Sequence, residues 1–339
     1  MSNKSKLATS AEISAELGIS KSTVSRALNN DPRISAKVRA KVLSMSEKLG
    51  YVPNAIAQSL ATRSSQIIGF IGSEAENYWY QENIQKLAKS LSDVSMQLMV
   101  FQVPAGGEVM DVVPQMIKYR LAGCIIIPTV SISATTVETL ERYRVTVVLL
   151  NRGMRDTNAC SVQCDQAAGG HRLAKLLIAG GHKRIAFVAG SETPTAAARE
   201  HGFMEGLAEA GQPLVARVNG EYTFEGAYAA AKTLFSREDR PDAVFAANDL
   251  MAFGVLDALR DLSIQVPHDV SVVGFDNSRI GAWSAYNLTT ISQPIDYMFT
   301  RSIELIMQRD PDAGTPPENI FLDGALVTRG SARLTPISK

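Results

Sequence analysis

The side chains best equipped for chemistry fall into two groups. One is a short run, Lys21, Ser22, Thr23 and Arg26, set among apolar residues that repeat at helical spacing. Arg26 can give two parallel hydrogen bonds to guanine O6 and N7. Ser22 and Thr23 can reach bases or phosphates, and Lys21 either. The other group follows short apolar runs: Trp79 and Tyr80, Asn151 and Arg152, Arg199, Tyr222, Asn248 and Asp276. Amides, a carboxylate and two guanidiniums beside aromatic rings suit a polyhydroxylated ligand. Rings cover the C–H face of a sugar, and forked donors and acceptors read its hydroxyls. Nothing pairs these groups for turnover. There is no nucleophile elbow, phosphate loop or metal triad at usable spacing, so neither an enzyme nor a cofactor is expected. Three cysteines, Cys124, Cys160 and Cys164, are too few for a disulfide scaffold and form no CxxC pair, so no metal is expected.

The first group needs a helix to present it. Ile13, Leu17, Ile19, Val24, Leu28, Ile34, Val38, Val42 and Leu49 keep a helical rhythm that a solvated tail would not hold. Thr9 or Ser10 can cap a first helix ending near Leu17. Gly18 then breaks it, because glycine enters the left-handed conformation cheaply. Ser20 caps a second helix over 21–29, with Val24 and Leu28 inward and Lys21, Ser22, Ser25 and Arg26 outward. Asp31-Pro32 stops this helix, and a third over about 35–49 ends at Gly50. Helix, glycine turn and a second helix with a basic outer face form the helix-turn-helix arrangement, whose second helix enters the major groove. The competing reading is a three-helix protein-interaction module.

Charge bears on that choice. The chain has 339 residues and a formal net charge of zero, from 34 basic and 34 acidic side chains. Residues 1–65 hold ten basic and four acidic side chains, a net of +6, and the remainder carries −6. Neutrality thus hides a basic arm on an acidic body, the asymmetry of a nucleic-acid binder. At 45 % apolar and 20 % charged residues, the chain can bury an ordinary core. No apolar run reaches the roughly 18 residues of a membrane span. No apolar signal-peptide core opens the chain either, so a cytoplasmic location without a membrane partner is expected.

The second group needs strand ends. Apolar runs near 67–71, 96–102, 124–127 and 145–150 read as buried parallel strands, with helices over 79–93, 108–119 and 134–143 between them. A second set has strands near 161–164, 184–189, 215–221, 243–247 and 270–275. Its helices lie near 166–179, 195–211, 224–236, 250–262 and 295–308. The alternation implies doubly wound parallel sheets, and the length implies two such halves. Ligands of these folds sit outside the carboxyl ends of the strands, which is where the polar residues collect.

Two long motifs make the pattern specific. Residues 17–29, LGISKSTVSRALN, and 49–60, LGYVPNAIAQSL, closely resemble the DNA-binding head of the lactose-repressor family of bacterial regulators. The resemblance implies that Lys21, Ser22, Thr23, Arg26 and Asn29 face operator DNA. It also implies that residues 54–61 form a hinge helix ordering on DNA, with Leu60 a minor-groove wedge, Ala57 in that groove and Asn54 on a phosphate. Eight residues are too few for a helix stable alone in water, consistent with folding on DNA. Segments 180–186 (GGHKRIA), 247–252 (ANDLMA), 271–276 (SVVGFD) and 288–293 (LTTISQ) look like the family's effector-domain motifs. On that likeness, Asn151, Arg152, Arg199, Tyr222, Asn248, Asp276 and Gln293 contact ligand, with Trp79 and Tyr80 as ring platforms. Relatives often carry aspartate where Asn151 stands, which with Arg152 and Arg199 admits a sugar acid beside a neutral sugar.

These readings predict an all-α helix-turn-helix head (1–53), a hinge and linker (54–65) and an α/β body (66–339). The body should comprise two doubly wound parallel-sheet subdomains of periplasmic-binding-protein type. The first is expected over about 66–160 and 292–320, the second over about 161–291 and 321–339. The predicted function is an effector-controlled transcriptional repressor acting as a homodimer on a near-palindromic operator. A dimer is expected because no apolar heptad tail follows the last strand. The alternative is a stand-alone sugar-binding protein, which fits the body equally well but leaves the helix-turn-helix unexplained.

Overall fold

The computed structural model describes residues 8–28, 30–51, 65–73, 78–104, 106–191, 193–310 and 314–334. The expectations for Asn29, Asn54, Ala57, Leu60 and the 54–61 hinge helix lie outside the described residues. The chain divides into two compact units, Met1–Gln66 and Ile67–Lys339.

The first unit holds three helices, α1 (Ser10–Leu17), α2 (Lys21–Leu28) and α3 (Ala36–Leu49). Thr9, not Ser10, caps α1. Its hydroxyl accepts from Glu12 N while the Glu12 carboxylate accepts from Thr9 N, satisfying two orphan donors at once. Gly18 ends α1 at φ +65°, a conformation that costs glycine least. Ser20 Oγ accepts from Thr23 N at 3.1 Å and starts α2. Ile13, Val24, Ala27 and Val42 form the buried centre. Leu28, expected inside, is half-buried, and Ala27 holds the inner position. Both lie on the face of Val24, at i+3 and i+4, and the smaller side chain admits the neighbouring helices more closely.

The second unit contains two parallel sheets. The first has six strands: β1 (Ile67–Ser73), β2 (Gln97–Val103), β3 (Gly123–Ile126), β4 (Thr146–Leu150), β5 (Cys160–Cys164) and β11 (Asn319–Leu322). Their order is β11-β5-β4-β3-β1-β2. Crossovers run through α4 (Tyr78–Asp93), α5 (Val113–Lys118) and α6 (Ala134–Arg142). The continuous helix expected over 108–119 is a 3-10 turn at Val109–Asp111 followed by α5. Pro114, which has no N–H to donate, sits in the first turn of α5, where a helix tolerates it.

The second sheet has order β7-β6-β8-β9, from β6 (Ile185–Ala189), β7 (Leu214–Asn219), β8 (Ala243–Ala246) and β9 (Ser271–Val273). It is wrapped by α7 (Gln166–Ala179), α8 (Pro194–Glu209), α9 (Phe224–Phe235) and α10 (Asp249–Asp261). An antiparallel pair, β10 (Thr290–Ser292) with β12 (Ala325–Val327), and α11 (Ile295–Gln308) complete the unit. Strand β5, expected with the second set, belongs to the first sheet, where it pairs with β4 and β11. A strand flanked on both edges buries both faces, and Cys160, Ser161 and Val162 are all buried.

One local feature fixes a site residue. Helices α7 and α8 meet backbone to backbone. A Cβ on Gly202 would lie 2.0 Å from the Ala167 carbonyl oxygen, and one on Gly170 would lie 2.2 Å from that of Arg199. Only glycine permits this approach, and it sets Arg199 against the first turn of α7.

Candidate DNA-contact face and effector cleft

On α2, Lys21, Ser22, Ser25 and Arg26 are exposed on one side while Val24 and Ala27 are buried on the other. Ser20 Oγ lies 2.8 Å from Ser22 Oγ and 2.9 Å from Thr23 Oγ1. Thr23 is half-buried, so its hydroxyl serves the cap before it serves a partner. Lys21 and Arg26 form no ion pair among the described residues, which leaves both cations free to meet an anion.

In the second unit, eight of the nine predicted effector residues line one cavity of about 250 Å³: Trp79, Tyr80, Asn151, Arg199, Tyr222, Asn248, Asp276 and Gln293. They come from the start of α4, from the ends of β4, β7, β8 and β9, from α8, and from the segment after β10. Arg152, the ninth, is not on this wall. Its Nη1 donates to the Val130 carbonyl at 2.7 Å.

The cleft side chains bond one another in a ring. Asn151 Nδ2 donates to Gln293 Oε1 at 2.7 Å, and Gln293 Nε2 donates to Asp276 Oδ1 at 2.7 Å. Arg199 Nη2 stands 3.8 Å from Asp276 and 2.6 Å from Gln166 Oε1, to which Arg199 Nε also donates. Gln166 Nε2 closes the ring on Asn151 Oδ1 at 3.4 Å. Two further bonds cross between the lobes: Trp79 Nε1 to the Asp276 carbonyl at 3.0 Å, and Thr195 Oγ1 to that of Asn151 at 3.1 Å.

Backbone geometry aims these groups. Asn151 (φ 55°), Tyr222 (φ 56°) and Asp276 (φ 121°) all lie at positive φ, which L-residues adopt only where the surroundings enforce it. Gly190 makes room for the Tyr222 ring, which would stand 2.1 Å from any Cβ there. Asn248 is both wall and helix cap, since its Oδ1 accepts from Met251 N at 2.9 Å.

Burial governs the charges. It pushes the Asp276 carboxyl up to about 6, against the pull of Arg199 and Gln293. Burial, with the neighbouring Asp276 charge, raises Asp249 to about 8, although Thr290 and the Ser278 amide both donate to it. Arg199 is 4 % exposed, and its guanidinium lies 3.7 Å from the Phe275 ring centre, a contact suited to a desolvated cation.

Sequence reasoning missed Gln166 and Thr195. Gln166 follows the carboxyl end of β5, and with that strand grouped in the other half its end was not searched. The glycines at 170 and 202 were the available signal for the close helix pair.

An Asp–His–Ser sequence also occurs away from the cleft. His182 Nδ1 lies 3.4 Å from Asp242 and its Nε2 lies 2.8 Å from Ser271 Oγ. Ser271 is fully buried and its hydroxyl accepts from Arg333 N, so this triple packs strand starts and offers no nucleophile to a substrate. Among the described residues no three His, Cys, Asp or Glu side chains gather to hold a metal. No helix among them is long and apolar enough to cross a membrane.

Residues 11–54 match the model of bacterial regulatory proteins of the lacI family, and 174–332 match that of the periplasmic binding protein-like domain. The chain is 30 % identical over 332 residues to the ribose operon repressor of Escherichia coli K12, covering 96 % of this chain and all of that protein. It is 31 % identical over 294 residues to catabolite control protein A of Priestia megaterium, covering 84 % and 87 % of the two. The lac repressor dimer bound to operator and the anti-inducer ONPF superposes with a TM-score of 0.83 at 24 % identity, over 96 % of this chain and 99 % of that one. A transcriptional regulator CelR–cellobiose complex gives 0.69 at 26 %, over 96 % and 99 %. A head and body of this construction, matched end to end by a full-length relative, place the chain in the lacI family of bacterial regulatory proteins.

Proposed function

We propose that this chain is a DNA-binding transcriptional repressor whose operator affinity is set by a small polyhydroxylated effector. Lys21, Ser22 and Arg26 read base edges or phosphates from the N-terminal part of α2, with Thr23 contributing from behind its cap. Asn29, and the hinge residues Asn54, Ala57 and Leu60, extend that contact. The protein acts as a homodimer on a near-palindromic site. Exposed apolar side chains on the free edge strand β2 (Val100) and at Trp283 offer surface for a second copy.

Trp79, Tyr80, Asn151, Arg199, Tyr222, Asn248, Asp276 and Gln293 hold the effector, as the names of the ribose repressor and the cellobiose complex suggest for relatives. The observation that carries the regulatory reading is the hydrogen-bond ring from Asn151 through Gln293 and Asp276 to Arg199. An effector entering the cleft competes for groups that tie the two lobes together, so it alters their closure. Closure changes the cost of folding the hinge on DNA, and ligand and operator affinities become linked.

Selection from a random duplex library tests the proposal. Enrichment of two inverted half-sites about one or more helical turns apart is expected. Affinity for them should fall with salt at a log–log slope of about −0.9 per phosphate neutralised. A library that yields no enriched sequence overturns the reading.

A further inference from the structure

The guanidinium of Arg152 is left without an ionic partner. Its Nη1 is used on the Val130 carbonyl, while its Nη2 is buried and bonded to nothing. The hydroxyl of Thr129, the preceding residue on that segment, is also buried and unpartnered, and Thr129 lines the cavity. Tyr80 lines the same cavity and is the one ionisable group acting on Arg152. Burial alone pushes the Arg152 pKa down, the mark of a cation that lacks its counter-charge.

Nothing nearby supplies that charge. Asn151 is neutral and already bonded to Gln293. Asp276 serves Arg199. Asp249 holds its proton through most of the neutral range. Glu221 reaches the cavity but is exposed to water. Two guanidiniums therefore face one ionised carboxylate, and a buried unpaired charge is unfavourable until an opposite charge arrives. At about 250 Å³ the cavity is below the roughly 300–1,000 Å³ that takes drug-sized ligands, so it has room for one sugar ring.

We propose that the effector is an anionic monosaccharide, a sugar acid or sugar phosphate, whose charged group is received by Thr129 Oγ1 and the Arg152 guanidinium. This rests on the cleft being the effector site. The hydroxyls are then read by Asn248, Asp276 and Arg199, and the charged end lies on the first lobe. Charge recognition would thus pull on one lobe while hydroxyl recognition pulls on the other, which is what an effector that moves them must do.

The test uses the full chain. Thermal melting and calorimetry are run with D-glucose and D-ribose, with D-gluconate and D-glucuronate, and with glucose 6-phosphate and ribose 5-phosphate. An anionic member is expected to stabilise the protein where its neutral parent does not, and the carboxylate and phosphate arms identify the group. Arg152→Gln should weaken that binding about ten- to a hundredfold, the range for a hydrogen bond to a charged group. Thr129→Val should weaken it less, in the same direction. Ligand-free Arg152→Gln should melt no lower than wild type, because it loses an unpaired charge. Stabilisation by neutral sugars alone overturns the inference and leaves the effector site standing. Undiminished anion binding in Arg152→Gln overturns the placement. Silence of the whole panel counts against the cleft as a monosaccharide site altogether.

Discussion

Gly202→Ala probes the contact that sets Arg199 in place. The added methyl would lie 2.0 Å from the Ala167 carbonyl oxygen, about 1.4 Å short of ordinary contact, with backbone on both sides of the clash. Helices α7 and α8 must therefore part by about an ångström. Alanine gains about 1 kcal/mol of helix propensity over glycine, but overpacking of a close-packed contact costs about 1–3 kcal/mol or more. A net loss of about 2 kcal/mol corresponds to a Tm decrease of about 4–8 °C for a domain of this size. Arg199 lies three residues before Gly202, on the same face of α8. A 1 Å retreat takes its Nη2 from 2.6 Å to beyond hydrogen-bonding distance of Gln166 Oε1. Effector affinity should then fall at least tenfold. The assay is thermal melting with and without effector, followed by a titration. An unchanged or raised Tm with intact effector affinity would refute the reasoning that this glycine contact positions the site.

Three further outcomes follow from the same geometry. Arg26→Ala should weaken specific operator binding by about 1–3 kcal/mol and relax base choice at one position of each half-site; unchanged base preference in a binding-site selection counts against this register of α2. Trp79→Phe removes the donor to the Asp276 carbonyl, worth about 1 kcal/mol, and should give a more open ligand-free body by small-angle scattering; an unaltered profile rejects the latch. Asp249 titrates at about 8 in the fold against an ordinary value near 3.8, so the folded state binds the extra proton between those limits. Its contribution to stability is full below about pH 4 and is lost as pH rises through about 8. The Tm of Asp249→Asn relative to wild type should rise across pH 5–9, and a constant difference contradicts the assignment.

The helical head was legible because capping and period agree there. Thr9, Gly18, Ser20 and Gly50 punctuate the chain where the apolar rhythm breaks, and each makes the local contact its residue type favours. The strand ends of the body were legible for the same reason, since short apolar runs end in polar residues. Strand β5 was less so. Its short run, Cys160–Cys164, carries no sign of which sheet it enters, because pairing with β4 and β11 is decided by partners more than 150 residues away in one case. Gln166 was hidden behind that misplacement. The turning aside of Arg152 toward Val130 was not readable either, because rotamer choice depends on neighbours brought in by β3 and its following loop. Spacing puts Asn151, Asp276 and Gln293 near one edge, but their mutual hydrogen bonds exist only once both lobes are built.

The central claim is that cleft and operator share one free energy. It is tested most directly by measuring operator affinity without effector and at saturating effector, then effector affinity with and without operator. The account predicts a ratio well away from one, about 5- to 150-fold, and the same factor in both directions. A ratio of one, with the effector demonstrably in the cleft, would contradict it.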